Sequence, residues 1–111
     1  MLVETQNQEY GFEAINLMSV LGLRLEDKMT DEDTVEISVY FAATLSPGAP
    51  GGYIHPSVIL GEYEDYDDAL KIYNALMKLN WMFPGFVKMP SEDEDIDKHL
   101  NQWKKYYLDG Q

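Results

Sequence analysis

Apolar and polar residues alternate most regularly between Thr34 and Leu45, in the stretch TVEISVYFAATL. One side of an extended chain carries Val35, Ile37, Val39 and Phe41, and the other side carries Glu36, Ser38 and Tyr40. This period of two predicts a strand with one buried face. Leucines alternate in the same way between Val20 and Leu25, and a short polar segment separates the two stretches. We therefore expect an antiparallel hairpin.

Three other segments repeat their apolar residues every three or four positions, which is the spacing of an amphipathic helix. The first covers residues 12–21 and stops at Gly22, the second begins at Asp67, and the third covers residues 95–107. The apolar stripes are formed by Ala14, Leu17, Met18 and Leu21, then by Ala69, Ile72, Tyr73, Leu76 and Leu79, and finally by Ile96, Leu100, Trp103 and Tyr107. We expect a helix at each.

The remaining apolar segments are short or interrupted. Residues 57–63 alternate and predict another strand, with Val58, Leu60 and Glu62 on one face and Ile59, Gly61 and Tyr63 on the other. Residues 46–57 hold three prolines and three glycines and predict a loop. Residues 81–90 are apolar but broken by two prolines and a glycine, so we expect a loop that folds back over the core.

The order of these elements predicts an α+β fold. We expect a small antiparallel sheet of two to four strands, with about three helices packed mainly on one face. The chain has 111 residues and a hydrophobic content of 45%, which suits one domain with a buried core. Residues 1–111 are therefore expected to form a single acidic α+β domain.

The charge of the chain restricts its partners. Twenty acidic and eight basic residues give a formal net charge of -12, which repels the phosphates of nucleic acids and attracts basic surfaces. Direct binding to DNA or RNA is therefore not expected. The first twenty residues lack the basic and apolar regions of a signal peptide, and no apolar run is long enough to span a membrane. Because the chain has no cysteine, we expect a cytoplasmic protein without membrane contact.

The motifs of known catalytic sites are missing. There is no cysteine or G-x-S-x-G nucleophile, and the two histidines, His55 and His99, lie in a predicted loop and on a charged helix. The glycine-rich segment lacks the lysine of a phosphate-binding loop, and the acidic runs do not fit the glycine and glutamate positions of a calcium-binding loop. We expect no catalytic residue, no cofactor and no metal site, and hence no enzyme.

Sixteen of the twenty acidic residues fall in three runs, at residues 26–36, 62–68 and 92–97. Each run has a local explanation. Asp67 and Asp68 suit the first turn of the second predicted helix, and Ser91 or Asp93 suits the cap of the third. Capping two helices requires only a few carboxylates, so the runs hold more acidic residues than the predicted fold needs.

The excess, together with two tyrosines, defines the candidate partner-binding residues. They are Glu62, Tyr63, Glu64, Asp65, Tyr66, Glu92, Asp93, Glu94 and Asp95. If these carboxylates lie on one face, they imitate a row of phosphates, and exposed aromatic rings add contact area. The sequence thus favours a non-catalytic protein that binds a basic protein surface. The hypothesis is a phage or mobile-element inhibitor that mimics nucleic acid on a host enzyme acting on DNA or RNA.

Two other functions fit the same composition. An immunity or antidote protein would use the same acidic surface to block a basic nuclease. A structural or assembly module, such as a phage accessory protein, would instead use the apolar residues 81–89 as its contact. The composition also permits a homodimer. One continuous acidic face would support mimicry, whereas scattered acidic patches and an exposed apolar patch would support assembly.

One short pattern resembles small phage or mobile-element proteins. It consists of a strand that ends in L-G-x-Y, here residues 60–63, followed by a helix with acidic residues in its first turn, here Asp67 and Asp68 before Ala69. The pattern covers about twenty residues and implies no particular functional residue.

Overall fold

A computed structural model of the chain describes residues 1–6, 13–28, 34–45 and 52–108. In these ranges the strands are β1 (Leu2–Glu4), β2 (Ala14–Asn16), β3 (Gly22–Lys28), β4 (Thr34–Tyr40), β5 (Thr44–Leu45), β6 (Tyr53–Ile54), β7 (Ser57–Tyr63) and β8 (Phe86–Lys88). The α-helices are α1 (Tyr66–Lys78) and α2 (Ile96–Asn101), and short 3-10 helices cover Leu17–Ser19 and Lys104–Tyr106. The α+β class is therefore confirmed, with two α-helices rather than about three in the described ranges.

The large sheet consists of β3, β4 and β7, in that order, and both of its pairings are antiparallel. The predicted hairpin between β3 and β4 is confirmed, with Leu25 opposite Ile37. Val35, Ile37 and Val39 of the central strand point to one face and are buried, as their alternation predicts. Each such side chain stabilises the fold by about 1.5–3 kcal/mol when it is removed from water.

Helix α1 packs across the buried face of the large sheet and contacts all three of its strands. Its apolar stripe is buried, and consists of Ala69, Ile72, Ala75 and Leu76. The lysines Lys71 and Lys78 lie on the exposed side, and Lys78 stands in the last turn, where a cation opposes the negative end of the helix dipole. The predicted helix is confirmed, although it begins one residue earlier, at Tyr66.

Strand β7 contains a bulge that changes which of its residues are buried. Ser38 pairs with Ile59 and Ile37 pairs with Gly61, so Leu60 is an extra residue in the ladder. A regular strand would place Leu60 and Glu62 on the same face. Because of the bulge, Leu60 and Tyr63 are both buried, whereas Glu62 is exposed.

A small sheet consists of β2, β1 and β8, in that order. Strand β1 runs antiparallel to β2 and parallel to β8, with Val3 opposite both Ile15 and Val87. Just beyond β1, the backbone N–H of Gln6 donates to the carbonyl of Leu60 in β7 at 2.8 Å. The two sheets therefore meet where β1 reaches the bulged edge of the large sheet.

The helix predicted over residues 12–21 is wrong for the part that the structure describes. Residues 14–16 form β2, and a single 3-10 turn follows it. Asn16 ends the strand because its side chain accepts from the backbone N–H of Met18 at 3.0 Å, a local bond that favours a turn over a helix. As a result Met18 and Leu21 are exposed, by 56% and 59%, instead of lying on a buried stripe.

Two predictions near the C-terminus need correction. The segment 81–90 is not only a loop, because it contains β8 and buries Val87 and Met89. The predicted helix over residues 95–107 is divided into α2 and a 3-10 turn. The backbone N–H groups of Gln102 and Trp103 bond three rather than four residues back, which tightens the chain.

Several predictions lie wholly or partly outside the described residues. They concern residues 46–51 of the predicted loop and the acidic residues 31–33. Within the described ranges, no helix is long and apolar enough to cross a membrane.

Candidate partner-binding surface

Two of the acidic runs, far apart in the sequence, lie side by side. The backbone N–H of Glu64, at the end of β7, donates to the carboxylate of Glu92 at 2.7 Å. Lys71 of α1 and Asp97 of α2 form an exposed ion pair at 3.4 Å. The starts of α1 and α2 therefore meet, and we call residues 62–66 and 92–95 together the acidic surface.

The glutamine that joins the sheets also fixes the start of the acidic surface. The side-chain amide of Gln6 donates to the carbonyl of Glu62 at 3.1 Å and to the carbonyl of Pro90 at 3.4 Å. Its side-chain oxygen accepts from the backbone N–H of Glu62 at 2.8 Å. Gln6 thus holds the first residue of one run against the chain that leads into the other.

Tyr63 supports the acidic surface from inside the core. Its side chain is only 1% exposed, and its hydroxyl donates to the carbonyl of Pro90 at 2.8 Å. Burial, and then the nearby charges of Glu94 and Glu92, raise the pKa of Tyr63 well above its ordinary range, so the phenol remains a donor. The contact role predicted for Tyr63 needs correction, because a buried ring offers no surface to a partner.

Two of the aspartates cap helices. The side chain of Asp65 accepts from the backbone N–H of Asp67 at 2.8 Å, and the side chain of Asp95 accepts from that of Lys98 at 3.3 Å. Each residue is extended and precedes the first helical residue, as an N-cap requires. The cap of α2 is therefore Asp95 rather than the predicted Ser91 or Asp93, whereas the prediction that acidic residues occupy the first turn of α1 is confirmed.

Glu94 and His99 connect the acidic run at residues 92–97 to the small sheet. One carboxylate oxygen of Glu94 accepts from the backbone N–H of Ser91 at 3.2 Å, and the other lies 2.6 Å from Nδ1 of His99. The Nε2 atom of His99 lies 2.6 Å from the carbonyl oxygen of Lys88 in β8. The backbone bond from Ser91, and then His99, lower the pKa of Glu94 below its ordinary value.

The lowered pKa of Glu94 predicts acid sensitivity. A carboxylate whose pKa is lower in the folded state stabilises the fold above its unfolded pKa, and this contribution is lost as the pH falls. We expect the free energy of unfolding to decrease as the pH falls below about 4.3, the ordinary pKa of glutamate. Urea unfolding of the Glu94→Gln protein should show a weaker decrease.

The control for this experiment is Asp93→Asn, which removes the same charge from an exposed neighbour. If Asp93→Asn weakens the pH dependence as much as Glu94→Gln does, the bonds of Glu94 do not cause it.

The described part of the run at residues 26–36 continues the acidic surface across the large sheet. Glu26 of β3 lies opposite Glu36 of β4, and Glu36 lies opposite Glu62 of β7. Paired residues project from the same face, with Cβ atoms about 4.5–5.5 Å apart. These three side chains form a carboxylate row whose last member belongs to the acidic surface.

The bulge in β7 creates this row. Without the extra residue at Leu60, the alternation along β7 would turn Glu62 towards the buried face. Like charges directly opposite each other across strands lower stability. The row is therefore not a requirement of the fold.

The predicted contact residues thus divide into two groups. Asp65, Glu92, Glu94 and Asp95 each use at least one carboxylate oxygen to hold the backbone or a cap in place. Glu62, Glu64, Tyr66 and Asp93 are exposed, and in the described part of the chain their side chains make no hydrogen bond or ion pair. The second group is available to a partner.

Among the described residues, no three acidic or histidine side chains are arranged to hold a metal ion. Comparisons of the chain with family models, curated proteins and solved structures find no match.

Proposed function

We propose that the chain is a non-catalytic binding protein, whose acidic surface and carboxylate row occupy a basic, nucleic-acid-binding groove of a partner protein. The observation that carries this proposal is the continuity of the acids. Glu26, Glu36 and Glu62 follow each other across the large sheet, and Glu64 then contacts Glu92 of the next run. These described carboxylates of the three runs follow each other along one path, which supports the proposal.

The spacing along the row supports this interpretation. Neighbouring strands lie about 4.8 Å apart, so the three carboxylates follow each other at short, regular intervals. A groove lined by lysine and arginine for a phosphate row would meet several negative charges along this line. Tyr66, which is 46% exposed, adds an aromatic contact at the edge of the acidic surface.

Energetics also support a role in binding. Like charges lie opposite each other in the carboxylate row, an arrangement that the fold itself does not require, and the bulge that produces it is a local departure from a regular strand. Like charges are expected to lie close together on a surface where a partner of opposite charge compensates them on binding. The structural roles of Asp65, Glu92, Glu94 and Asp95 hold the backbone that presents the free carboxylates. We infer that the partner acts inside the cell on DNA or RNA.

The test is capture of proteins from a host lysate by the immobilised chain, at about 50 mM and about 500 mM salt, because exposed charges are screened over roughly 10 Å at 0.1 M salt. We expect a basic nucleic-acid-handling protein to be retained at low salt only. DNA or RNA added to the lysate should displace it. A partner that remains bound at high salt and in the presence of nucleic acid contradicts the proposal.

A pair of matched variants tests the surface itself. Glu64→Gln with Asp93→Asn removes two charges from the acidic surface, whereas Glu4→Gln with Asp27→Asn removes two charges of the same types outside the acidic surface and the carboxylate row. Asp27 follows Glu26 but lies opposite Val35, on the other face of β3. We expect the first pair to weaken binding of the captured partner by about tenfold, which corresponds to about 1.4 kcal/mol, and the second pair to change it much less. Equal weakening would show that only net charge matters.

An assembly role is the second candidate, favoured by exposed apolar side chains near the end of α1. Met82 is 77% exposed and Phe83 44%, although Trp81 is partly buried and its indole N–H donates to the carbonyl of Leu76 at 2.8 Å. In the same capture experiment, an assembly partner would be retained at both salt concentrations. The Met82→Ser variant would release it.

A further inference from the structure

The outer edge of β3 is the starting point for a different contact. In the described part of the chain, β3 has one neighbouring strand, β4, and is therefore an edge strand of the large sheet. It is seven residues long, with the sequence GLRLEDK. An edge of this length presents unpaired backbone N–H and C=O groups, which another strand can bond.

Apolar side chains at this edge are incompletely covered. Leu23 and Leu25 point to the same face as the buried residues of β4, but both remain partly exposed. Leu21, directly before the strand, is 59% exposed. A further strand beside β3 would cover Leu23 and Leu25 in the way that β3 and β7 cover the core residues of β4.

The charges of β3 indicate which strand fits. In an antiparallel pair that continues the sheet, buried-face residues must lie opposite buried-face residues. When two copies of β3 overlap over all seven residues, Leu25 lies opposite Leu25 of the second copy on the buried face, and Leu23 lies opposite Asp27, which is exposed near the end of the strand. Arg24 then lies opposite Glu26 of the second copy, and Glu26 opposite Arg24, which are favourable cross-strand pairs.

Other overlaps fit less well. Shifting one copy by a single residue places the leucines opposite exposed-face residues. Shifting by two residues places either Arg24 opposite Arg24 or Glu26 opposite Glu26, which is unfavourable. The full overlap is thus also the overlap with complementary charges.

We propose that β3 pairs with β3 of a second copy of this chain, antiparallel and centred on Leu25, to form a two-fold symmetric dimer with a continuous six-stranded sheet. This contact goes beyond the proposed function, because it uses the outer edge of β3, on the side of the large sheet away from β7. Glu26 takes part in both, as a member of the carboxylate row and as the partner of Arg24 of the second copy. A two-fold contact of one strand edge is smaller than the roughly 1,200–2,000 Å² of a stable interface, so we expect a weak dimer.

The salt dependence of this dimer has a defined sign. Two copies of a chain with a net charge of -12 repel each other over long distances. Salt screens this repulsion more strongly than it weakens the two Arg24–Glu26 pairs, whose charges lie within a Debye length of each other. The dimer should therefore strengthen as salt rises, whereas binding of a basic partner should weaken. Sedimentation equilibrium between about 10 and 500 µM protein, at about 50 and 500 mM salt, measures this difference. A monomer under all these conditions overturns the proposal.

A charge exchange tests the pairing. Arg24→Glu places like charges opposite each other and should weaken the dimer at least fivefold. Adding Glu26→Arg restores opposite charges and should restore it. Arg24 also lies over the ring of Tyr40, 5.4 Å from its centre, a contact that the second substitution does not restore. Recovery in the double variant therefore reports the pairing between copies. Lys104→Glu, which changes the net charge equally at an exposed position outside β3, is the control.

Because the chain contains no cysteine, single cysteines can identify the register. In the proposed pairing, position 25 faces itself, whereas positions 23 and 27 face each other. Leu25→Cys should form a disulfide-linked dimer readily, and a mixture of Leu23→Cys and Asp27→Cys should link to each other faster than either links to itself. Equal linking at all three positions, or failure of the charge exchange to restore the dimer, overturns the proposal.

Discussion

Replacement of Tyr63 by alanine is expected to lower the free energy of unfolding by about 3–5 kcal/mol, the range for large aromatic residues removed from cores. The side chain is 1% exposed and lies between the large sheet and the chain at Pro90. Such a loss is a large part of the roughly 5–15 kcal/mol that stabilises a domain. Urea unfolding followed by circular dichroism measures it.

Tyr63→Phe distinguishes the contribution of the hydroxyl to stability from that of the ring. Here we expect a loss of about 1–3 kcal/mol, because the carbonyl of Pro90 loses its donor in a buried position. Tyr66→Phe, which removes an exposed hydroxyl three residues later, serves as the control and should change stability by less than about 0.5 kcal/mol. If both variants lower the free energy of unfolding by the same amount, the hydrogen bond to Pro90 does not stabilise the fold.

Replacement of Gly61 by alanine is the second change with a large expected effect. A Cβ atom at this position would lie 2.7 Å from the hydroxyl oxygen of Tyr63 and 3.0 Å from the nearest ring carbon. The ring is buried and cannot move into solvent, so we expect a loss of about 1–3 kcal/mol from overpacking. Urea unfolding again measures the loss.

The cause is tested by combining the two substitutions. Removal of the hydroxyl relieves the closest contact, so Gly61→Ala should cost less in the Tyr63→Phe protein than in the unaltered chain. The interaction energy should lie in the range of about 0.5–3 kcal/mol that is found for residues in contact. Simple additivity would show that the alanine acts through the backbone of the bulge and not through Tyr63.

Local patterns predicted much of the large sheet and α1. The alternation of Val35, Ile37 and Val39 and the helical spacing of Ala69 and Ile72 reflect one-sided burial, which adjacent residues alone encode. Residues 14–18 misled the prediction because their helical spacing is equally compatible with a short strand followed by a turn. The side chain of Asn16 decides between these two structures.

The bulge and the small sheet were not predictable from such patterns. An extra residue in a ladder is defined by the partner strand, and the alternation of Ile59, Leu60 and Gly61 contains no sign of it. Strand β8 has only three residues, and its partner β1 lies at the other end of the chain. Short strands stabilised by distant partners leave little periodicity in the sequence.

The candidate site was predicted in part. The acidic composition identified the two runs that the structure brings together, but their contact depends on Glu64 and Glu92 and on backbone groups. Gln6 and Pro90 were missed because a glutamine side chain and a backbone carbonyl carry no recognisable motif. Asp65 and Asp95 were interpreted as partner contacts because the start of each helix was displaced by one residue in the prediction.

The parallel pairing of β1 with β8 has a consequence for the order of folding. Val3 and Val87 are joined across almost the whole chain, and contacts at such separations form slowly because a long loop must first close. The hairpin of β3 and β4 can form once residue 40 has left the ribosome, whereas Gln6 meets Pro90 only after both ends are present. We therefore expect the acidic surface to form last during folding and to lose its contacts first when the native state begins to unfold.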